Sequence, residues 1–250
     1  MKNYVQQTDS TNRLAKEKAV SGVPSGTVIW AETQDSGRGQ YGRSFASPVG
    51  GLYFSLILRP NLHPENLPII TLVTGLACKD VLYEVFEVEA KIKWPNDLYL
   101  GEKKVGGILC ENFFDNRVIP VQPTVVIGVG ININSRLCDF PEELQPLVTT
   151  VYERTQKKVN LEQVLDQFIL KISEFVDALS SNRDSLLDRW RNYDYLLHKR
   201  LIYINGDQTI LGSGLGLASD GRYRILDETG NEHTIIGGKL RPAETHDLNK

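Results

Sequence analysis

The sequence predicts an α+β chain: a large domain of strands and packed helices over residues 1–196, then a small antiparallel β-barrel over residues 197–250. Three observations predict it. Val125, Ile127, Val129, Ile131 and Ile133 alternate with small or polar residues, the period of a strand with one face in the core. Leu161, Val164, Leu165, Phe168, Ile169, Ile172, Phe175, Val176 and Leu179 recur at three- and four-residue steps, as on the buried stripe of a helix. Beyond Arg200 the texture changes to short strands with turn signals at Asn205-Gly206, Asp220-Gly221 and Glu228-Thr229-Gly230.

A chain of 250 residues can bury a full core, and a net charge of −3 gives no global field that would attract nucleic acid. No window approaches a membrane span, and the first residues lack the apolar core of a signal peptide. Cys78, Cys110 and Cys138 are odd in number and unpaired in spacing, so neither a zinc site nor a disulfide framework is suggested. His63, His198, His233 and His246 show no metal-ligand spacing. A cytoplasmic protein without a structural metal is expected.

Along the chain, residues 9–20 read as a short polar helix with Asp9 or Ser10 as N-cap. Residues 27–33 read as a strand, 34–50 as a glycine-rich loop, 52–58 as a second strand, and 65–87 as a long helix with Gly75 near its middle. Ile92 and Trp94 then alternate with lysines, Pro95 ends ladder pairing, and Asn96-Asp97 supplies a turn. Residues 98–100 resume the strand, Gly101-Glu102 turns, and 105–111 returns. This hairpin sets Asp97 and Lys104 on its two arms, which suits a reaction in which one anion attacks another; an ordinary hairpin with solvated lysines has the same pattern. In 123–134, the face opposite the core carries Val126, Gly128, Gly130 and Asn132 and is nearly bare. Glycine inside a strand marks close approach of a ligand or of another backbone; a barrel bend or tight sheet packing gives the same pattern. A second short helix is expected over 184–194.

Gly37-Arg38-Gly39-Gln40-Tyr41-Gly42 matches the dinucleotide fingerprint literally, but a proline, an aromatic and a strand follow it where that fold needs a helix. Gly212-Ser213-Gly214-Leu215-Gly216 lies between strand-like segments and fails the same test. With Arg38 and Arg43, the first loop can still bind anions through backbone N–H groups and guanidinium forks.

Asp9-Ser10-Thr11-Asn12, then Gln34 with Gly37-Arg38-Gly39 and Gly42-Arg43, then Lys93-Trp94-Pro95-Asn96-Asp97, Lys104-Val105-Gly106-Gly107-Ile108-Leu109 and Gly128-Val129-Gly130-Ile131-Asn132 occur in the order found in biotin protein ligases. Gly237-Gly238-Lys239-Leu240-Arg241 also resembles the end of their C-terminal SH3-like barrel. The resemblance runs from about residue 4 to 243 and implies a catalytic domain like that of class II aminoacyl-tRNA synthetases and biotin/lipoate ligases. It implies a two-step reaction: biotin and ATP give biotinyl-5′-adenylate, and the biotinyl group passes to one lysine of a biotin carboxyl carrier protein.

The resemblance implies biotin contacts at Ser10, Thr11, Asn12, Gln34, Gly37, Arg38, Gly39, Gln40, Lys104, Gly107, Leu109, Gly128 and Gly130. It implies nucleotide contacts at Arg38, Arg43, Phe45, Asn96 and Asn132, and catalytic roles for Arg38, Lys104 and Asp97. ATP with Mg²⁺ and biotin enter as substrates, with no fixed protein-bound metal and no prosthetic group. Two positions depart from the frequent pattern: Gln40 stands where many relatives carry a third loop arginine, and Phe45 where tryptophan is common. The segment ahead of Asp9 is too short for a helix-turn-helix, so DNA binding is not expected, nor is membrane association. A monomer or a homodimer would fit. The alternatives are a lipoate or octanoate ligase, and a biotin-binding regulator without activity.

Overall fold

The structure, a computed structural model, describes residues 1–114 and 123–244. The order of elements is β1 (Lys2–Thr8), α1 (Thr11–Val20), β2 (Thr27–Gln34), β3 (Leu52–Leu58), α2 (Ile69–Phe86), β4 (Lys91–Lys93), β5 (Asp97–Leu100), β6 (Lys103–Phe114), β7 (Pro123–Ile131), α3 (Val151–Thr155), α4 (Leu161–Arg191), β8 (Arg200–Asn205), β9 (Gln208–Leu217), β10 (Tyr223–Asp227), β11 (Glu232–Ile235) and β12 (Lys239–Pro242). Strands β1 to β7 form one mixed sheet in the order β1-β2-β3-β7-β6-β5-β4; β1 and β2 are parallel and all other neighbours antiparallel. The last five strands form a second, antiparallel sheet in the order β11-β10-β9-β8-β12. The architecture is thus α+β, as expected. Of the segment 197–250 read as a barrel, residues 245–250, with His246, lie outside the described residues.

Two helices cover one face of the large sheet. Helix α2 is apolar nearly all round, and α4 lays its stripe of Val164, Leu165, Phe168, Ile172, Val176 and Leu179 against it. The alternating set Val125 to Ile133 joins this core, which continues through Leu196, Leu201, Tyr203 and Tyr223 into the second sheet. The opposite face is covered only in part. Ala15 and Ala19 of α1 pack there on Ile29, Ile57 and Val126, and the sheet beyond the start of α1 is left open to form a cleft.

Several bounds differ from the sequence reading. Strand β1 was not anticipated: Lys-Asn-Tyr-Val-Gln-Gln-Thr is polar because it is an edge strand half exposed to water. Helix α2 begins at Ile69 rather than at 65, because Pro64–Asn66 makes a 3-10 turn and Pro68 stands at the N-cap. The two expected helices around residue 182 form one element, kinked where Asn182 takes a non-helical φ of −125°. Helix α3 is a five-residue turn too short to leave a periodic signal; Thr150 caps it by accepting from the Glu153 N–H.

The second sheet docks on the hairpin of β4 and β5. The Trp94 indole N–H donates to the Gly221 carbonyl at 3.1 Å, and its ring lies 5.7 Å from that of Tyr223. Tyr99 stacks on Tyr195 at 4.4 Å between centroids. Trp94, singled out as part of a motif, is therefore a packing residue.

Candidate active site

Strand register gathers residues that are far apart in sequence. Asp97 pairs with both Lys93 and Gly107, Gly107 with Gly130, and Gly130 with Tyr53, so one row crosses five strands. A neighbouring row on the same face runs Leu109, Gly128, Ser55. Helix α1 delivers Ser10, Thr11 and Asn12 from one side, and the loop after β2 folds over from another.

The resulting cleft is lined by Ser10, Thr11, Asn12, Gln34, Arg38, Gly39, Gln40, Arg43, Phe45, Asn96, Asp97, Lys104, Gly107, Leu109, Gly128 and Gly130, all of them expected from the sequence. Ser44, Ile108 and Val129 also line it and were not expected. Two expected residues do not reach its wall. Gly37 is packed within the loop hairpin, where a Cβ would sit 2.4 Å from the Phe45 carbonyl oxygen. Asn132 is buried beside α3, its amide donating to the Thr149 carbonyl at 3.0 Å.

The start of α1 is built for contact rather than for capping. Ser10 occupies the N-cap position, but its side chain makes no cap bond; the carboxylate of Asp9 accepts the Ser10 N–H at 2.7 Å. Arg13 beside it holds the Asp9 carboxyl well below the usual carboxylate range. The Thr11 N–H and hydroxyl both reach Gln34 Oε1, at 2.9 and 3.2 Å, and Gln34 Nε2 donates to the Ser47 hydroxyl at 2.9 Å. Asn12 is satisfied on all sides: it accepts from the buried Ser55 hydroxyl at 2.6 Å and donates to the Leu109 carbonyl at 3.1 Å and to Glu111 at 3.0 Å. Ser47, Ser55 and Glu111 were not legible in the sequence, because a lone serine or glutamate in a strand carries no local signal.

The bare glycine face is filled by side chains of the chain itself. A Cβ on Gly128 would lie 2.0 Å from Asn12 Oδ1, and one on Gly130 would lie 2.6 Å from the Phe45 ring. At Gly107 the nearest atoms are Lys104 Nζ at 3.2 Å and Phe45 at 3.3 Å. These glycines admit Asn12, Phe45 and Lys104 to the floor of the cleft, and Gly106 admits the backbone of β7 at 2.7 Å. At Gly128 and Gly130 the approaching groups are side chains of the protein, so tight packing within the fold accounts for these two glycines, while Gly106 meets the backbone of β7.

Charge is concentrated at one end. Lys104 Nζ lies 2.6 Å from Asp97 Oδ1, and Lys93 Nζ lies 3.8 Å from Oδ2 of the same carboxylate. Burial lowers the Lys93 pKa, against the attraction of Asp97; the cations Lys104, Arg43 and Lys239 push it the same way as burial. The loop is a small irregular hairpin: the Phe45 N–H donates to Gly37 O at 2.8 Å and the Gly39 N–H to Arg43 O at 2.7 Å. No helix opens at Gly42; Gln40–Gly42 is a 3-10 turn and Arg43 is extended, as the rejection of a dinucleotide site required. Among the described residues neither Arg38 nor Arg43 makes an ion pair, so both are available to an anion in the cleft. The cleft combines hydrogen-bonding groups at the start of α1 and at Gln34 with the cations Arg38, Arg43 and Lys104 in one lining. Such a surface suits a ligand that carries an anionic group.

Residues 4–132 match the model of the biotin/lipoate A/B protein ligase family. The bifunctional ligase/repressor BirA of Bacillus subtilis is 31% identical over 223 residues, 87% of this chain and 67% of that protein. The biotin–[acetyl-CoA-carboxylase] ligase of Mycobacterium tuberculosis is 27% identical over 248 residues, 95% of this chain and 87% of its own. Among solved structures, the biotin protein ligase of Aquifex aeolicus in complex with biotin and ATP superposes with a TM-score of 0.84 at 33% identity, covering 97% of this chain and 99% of that one. The chain belongs to the biotin/lipoate A/B protein ligase family.

Proposed function

We propose that this protein is an ATP-dependent biotin–protein ligase, and that the cleft described above carries both half-reactions. The observation that carries the reading is the set of cations Arg38, Arg43 and Lys104 lining one cleft with Ser10, Thr11 and Gln34. In the first step, a carboxylate oxygen of biotin attacks the α-phosphorus of ATP, and the bond to pyrophosphate breaks. Both reactants are anions, so fixed positive charge at the meeting point lowers the barrier. ATP enters with Mg²⁺ as part of the substrate.

In the second step, the ε-amine of the acceptor lysine attacks the acyl carbon and AMP leaves. The attacking amine must be neutral, and Asp97 is the carboxylate at that end of the cleft to receive its proton. Lys104 and Lys93 flank Asp97 and hold its carboxylate in place. At the other end Ser10, Thr11 and Gln34 hold donors and acceptors suited to the ureido ring. The Bacillus subtilis and Mycobacterium tuberculosis relatives are named as ligases, the latter for biotin, and the Aquifex aeolicus biotin protein ligase holds biotin and ATP, which favours biotin over lipoate or octanoate.

The partner in this reading is the carrier domain of a biotin-dependent carboxylase. We read residues 1–196 as the catalytic module, of the class II synthetase type, and residues 197–250 as an SH3-like barrel; the antiparallel order of the last five strands supports the division. No helix among the described residues is long and apolar enough to cross a membrane, and three free thiols suit a reducing compartment such as the cytoplasm.

Biotin-dependent exchange of pyrophosphate into ATP tests the assignment. Lys104→Ala should reduce exchange by on the order of a hundredfold or more, since a charge facing the reacting phosphate is removed. Its melting temperature should stay close to that of the parent, because Lys93 still faces Asp97. Exchange at the parent rate would remove Lys104 from the mechanism.

A further inference from the structure

The tip of the cleft loop reaches across to the second sheet. Tyr41 stands at φ 58° and ψ 31°, a left-handed conformation that residues other than glycine rarely adopt. The residue is 67% exposed, so burial does not hold it there. Among the described residues its hydroxyl makes one hydrogen bond, accepting the Gly238 N–H at 2.8 Å. That N–H belongs to the turn between β11 and β12, and Gly237 in the same turn leaves room for the tyrosine. A Cβ on Gly237 would lie 2.6 Å from the Tyr41 hydroxyl, and Gly238 itself has φ +104°. Gln40 and Arg43, on either side of the Tyr41-Gly42 apex, line the cleft, whereas Tyr41 and Gly42 do not.

We propose that Tyr41 is a positioning residue that clasps the cleft loop to the β11–β12 turn, so that the second sheet holds Arg38, Gln40 and Arg43 over the reaction intermediate. The clasp rests on the ligase reading for its consequence but not for its existence. The loop carries the cations that face the acyl-phosphate. Among the described residues its arms are tied to each other by the Gln34–Ser47 bond at the base and the hairpin bonds of Gly37 with Phe45 and of Gly39 with Arg43, and across the apex by the longer Arg43 N–H to Gln40 carbonyl bond at 3.3 Å. The hydrogen bond at Tyr41 adds a tie from the apex to a second structural unit. It also gives the second sheet a part in the reaction without placing any of its residues in contact with substrate. Lys239, next along the chain, brings its charge near enough to act on Lys93, so the turn and the charged end of the cleft are neighbours.

The test uses Tyr41→Phe, which removes the hydroxyl and keeps the ring, and Gly237→Ala, which crowds the hydroxyl out. Two readouts are taken on the full chain. Amide exchange in the protein alone follows Gly238 and residues 38–45. Release of free biotinyl-adenylate in the absence of acceptor is followed beside pyrophosphate exchange. The expected result is several-fold faster amide exchange in both variants, adenylate escape raised by on the order of tenfold, and pyrophosphate exchange within about twofold of the parent. Combining the two substitutions should add nothing to either alone. Unchanged amide exchange in Tyr41→Phe would overturn the clasp. Faster amide exchange with unchanged adenylate escape would overturn its positioning role. A parent protein that makes no adenylate would instead sink the ligase reading and with it that role, while amide exchange would still decide whether the clasp exists.

Discussion

Gly128 and Asn12 show how the chemistry of the site is fixed by single atoms. Asn12 spends every hydrogen-bonding group on the protein, which locks the first turn of α1 against β3 and β6. Gly128 is the position that leaves room for it. Gly128→Ala should displace Asn12, loosen Thr11 and Gln34 behind it, and weaken biotin binding by on the order of tenfold or more, at a stability cost of about 1–3 kcal/mol. Adding Asn12→Ala should recover part of the stability, because the clash disappears with the amide. Calorimetric titration and thermal melting of the two variants measure both effects; full biotin affinity in Gly128→Ala would show that Asn12 does not order the pocket. Residue types were legible in the sequence to this extent: the motifs named sixteen of the lining residues, while the serines and the glutamate that orient them came only with the fold.

At the scale of elements, the connection between α4 and β8 has its own titration. Asp194 accepts the Leu196 N–H at 2.8 Å and the Tyr223 hydroxyl at 2.9 Å. Burial nonetheless dominates and raises its pKa to about 6. The folded protein thus favours the protonated form more than the unfolded chain does. That contribution to stability is complete below the unfolded value near about 4 and is lost as pH rises through about 6. Asp194→Asn should abolish this component. The stability difference between parent and variant, followed by urea melts, should move in favour of the variant by about 2–3 kcal/mol between about pH 4 and about pH 7. A difference independent of pH would show that Asp194 is ionised in the fold throughout.

Elements with a strong period were legible: the alternating face of β7, the stripe of α4, and the glycine and aspartate turns of the second sheet. Those without one were not. Strand β1 is a polar edge, α3 is a single turn, and the kink at Asn182 joins into one element what the sequence pattern divides into two. The cleft loop was legible in composition but not in form, since its hairpin bonds and the left-handed Tyr41 answer to contacts made far along the chain.

Over the whole molecule, one hydrophobic core runs from α2 and α4 through Trp94 and Leu196 into the second sheet, and polar contacts at Trp94 and Tyr41 tie that sheet to both walls of the cleft. The order of motifs pointed to the family from sequence alone. The contacts that make the second sheet part of the site did not appear there, because each joins residues more than a hundred positions apart. The central claim, that this cleft activates biotin and hands it to a protein lysine, is tested most directly by incubating the full chain with labelled biotin, ATP, Mg²⁺ and a biotin carboxyl carrier domain, with lipoate as competitor. The account predicts label on one carrier lysine, dependent on ATP and unaffected by lipoate. Biotin bound without transfer of label, or transfer suppressed by lipoate, would contradict it.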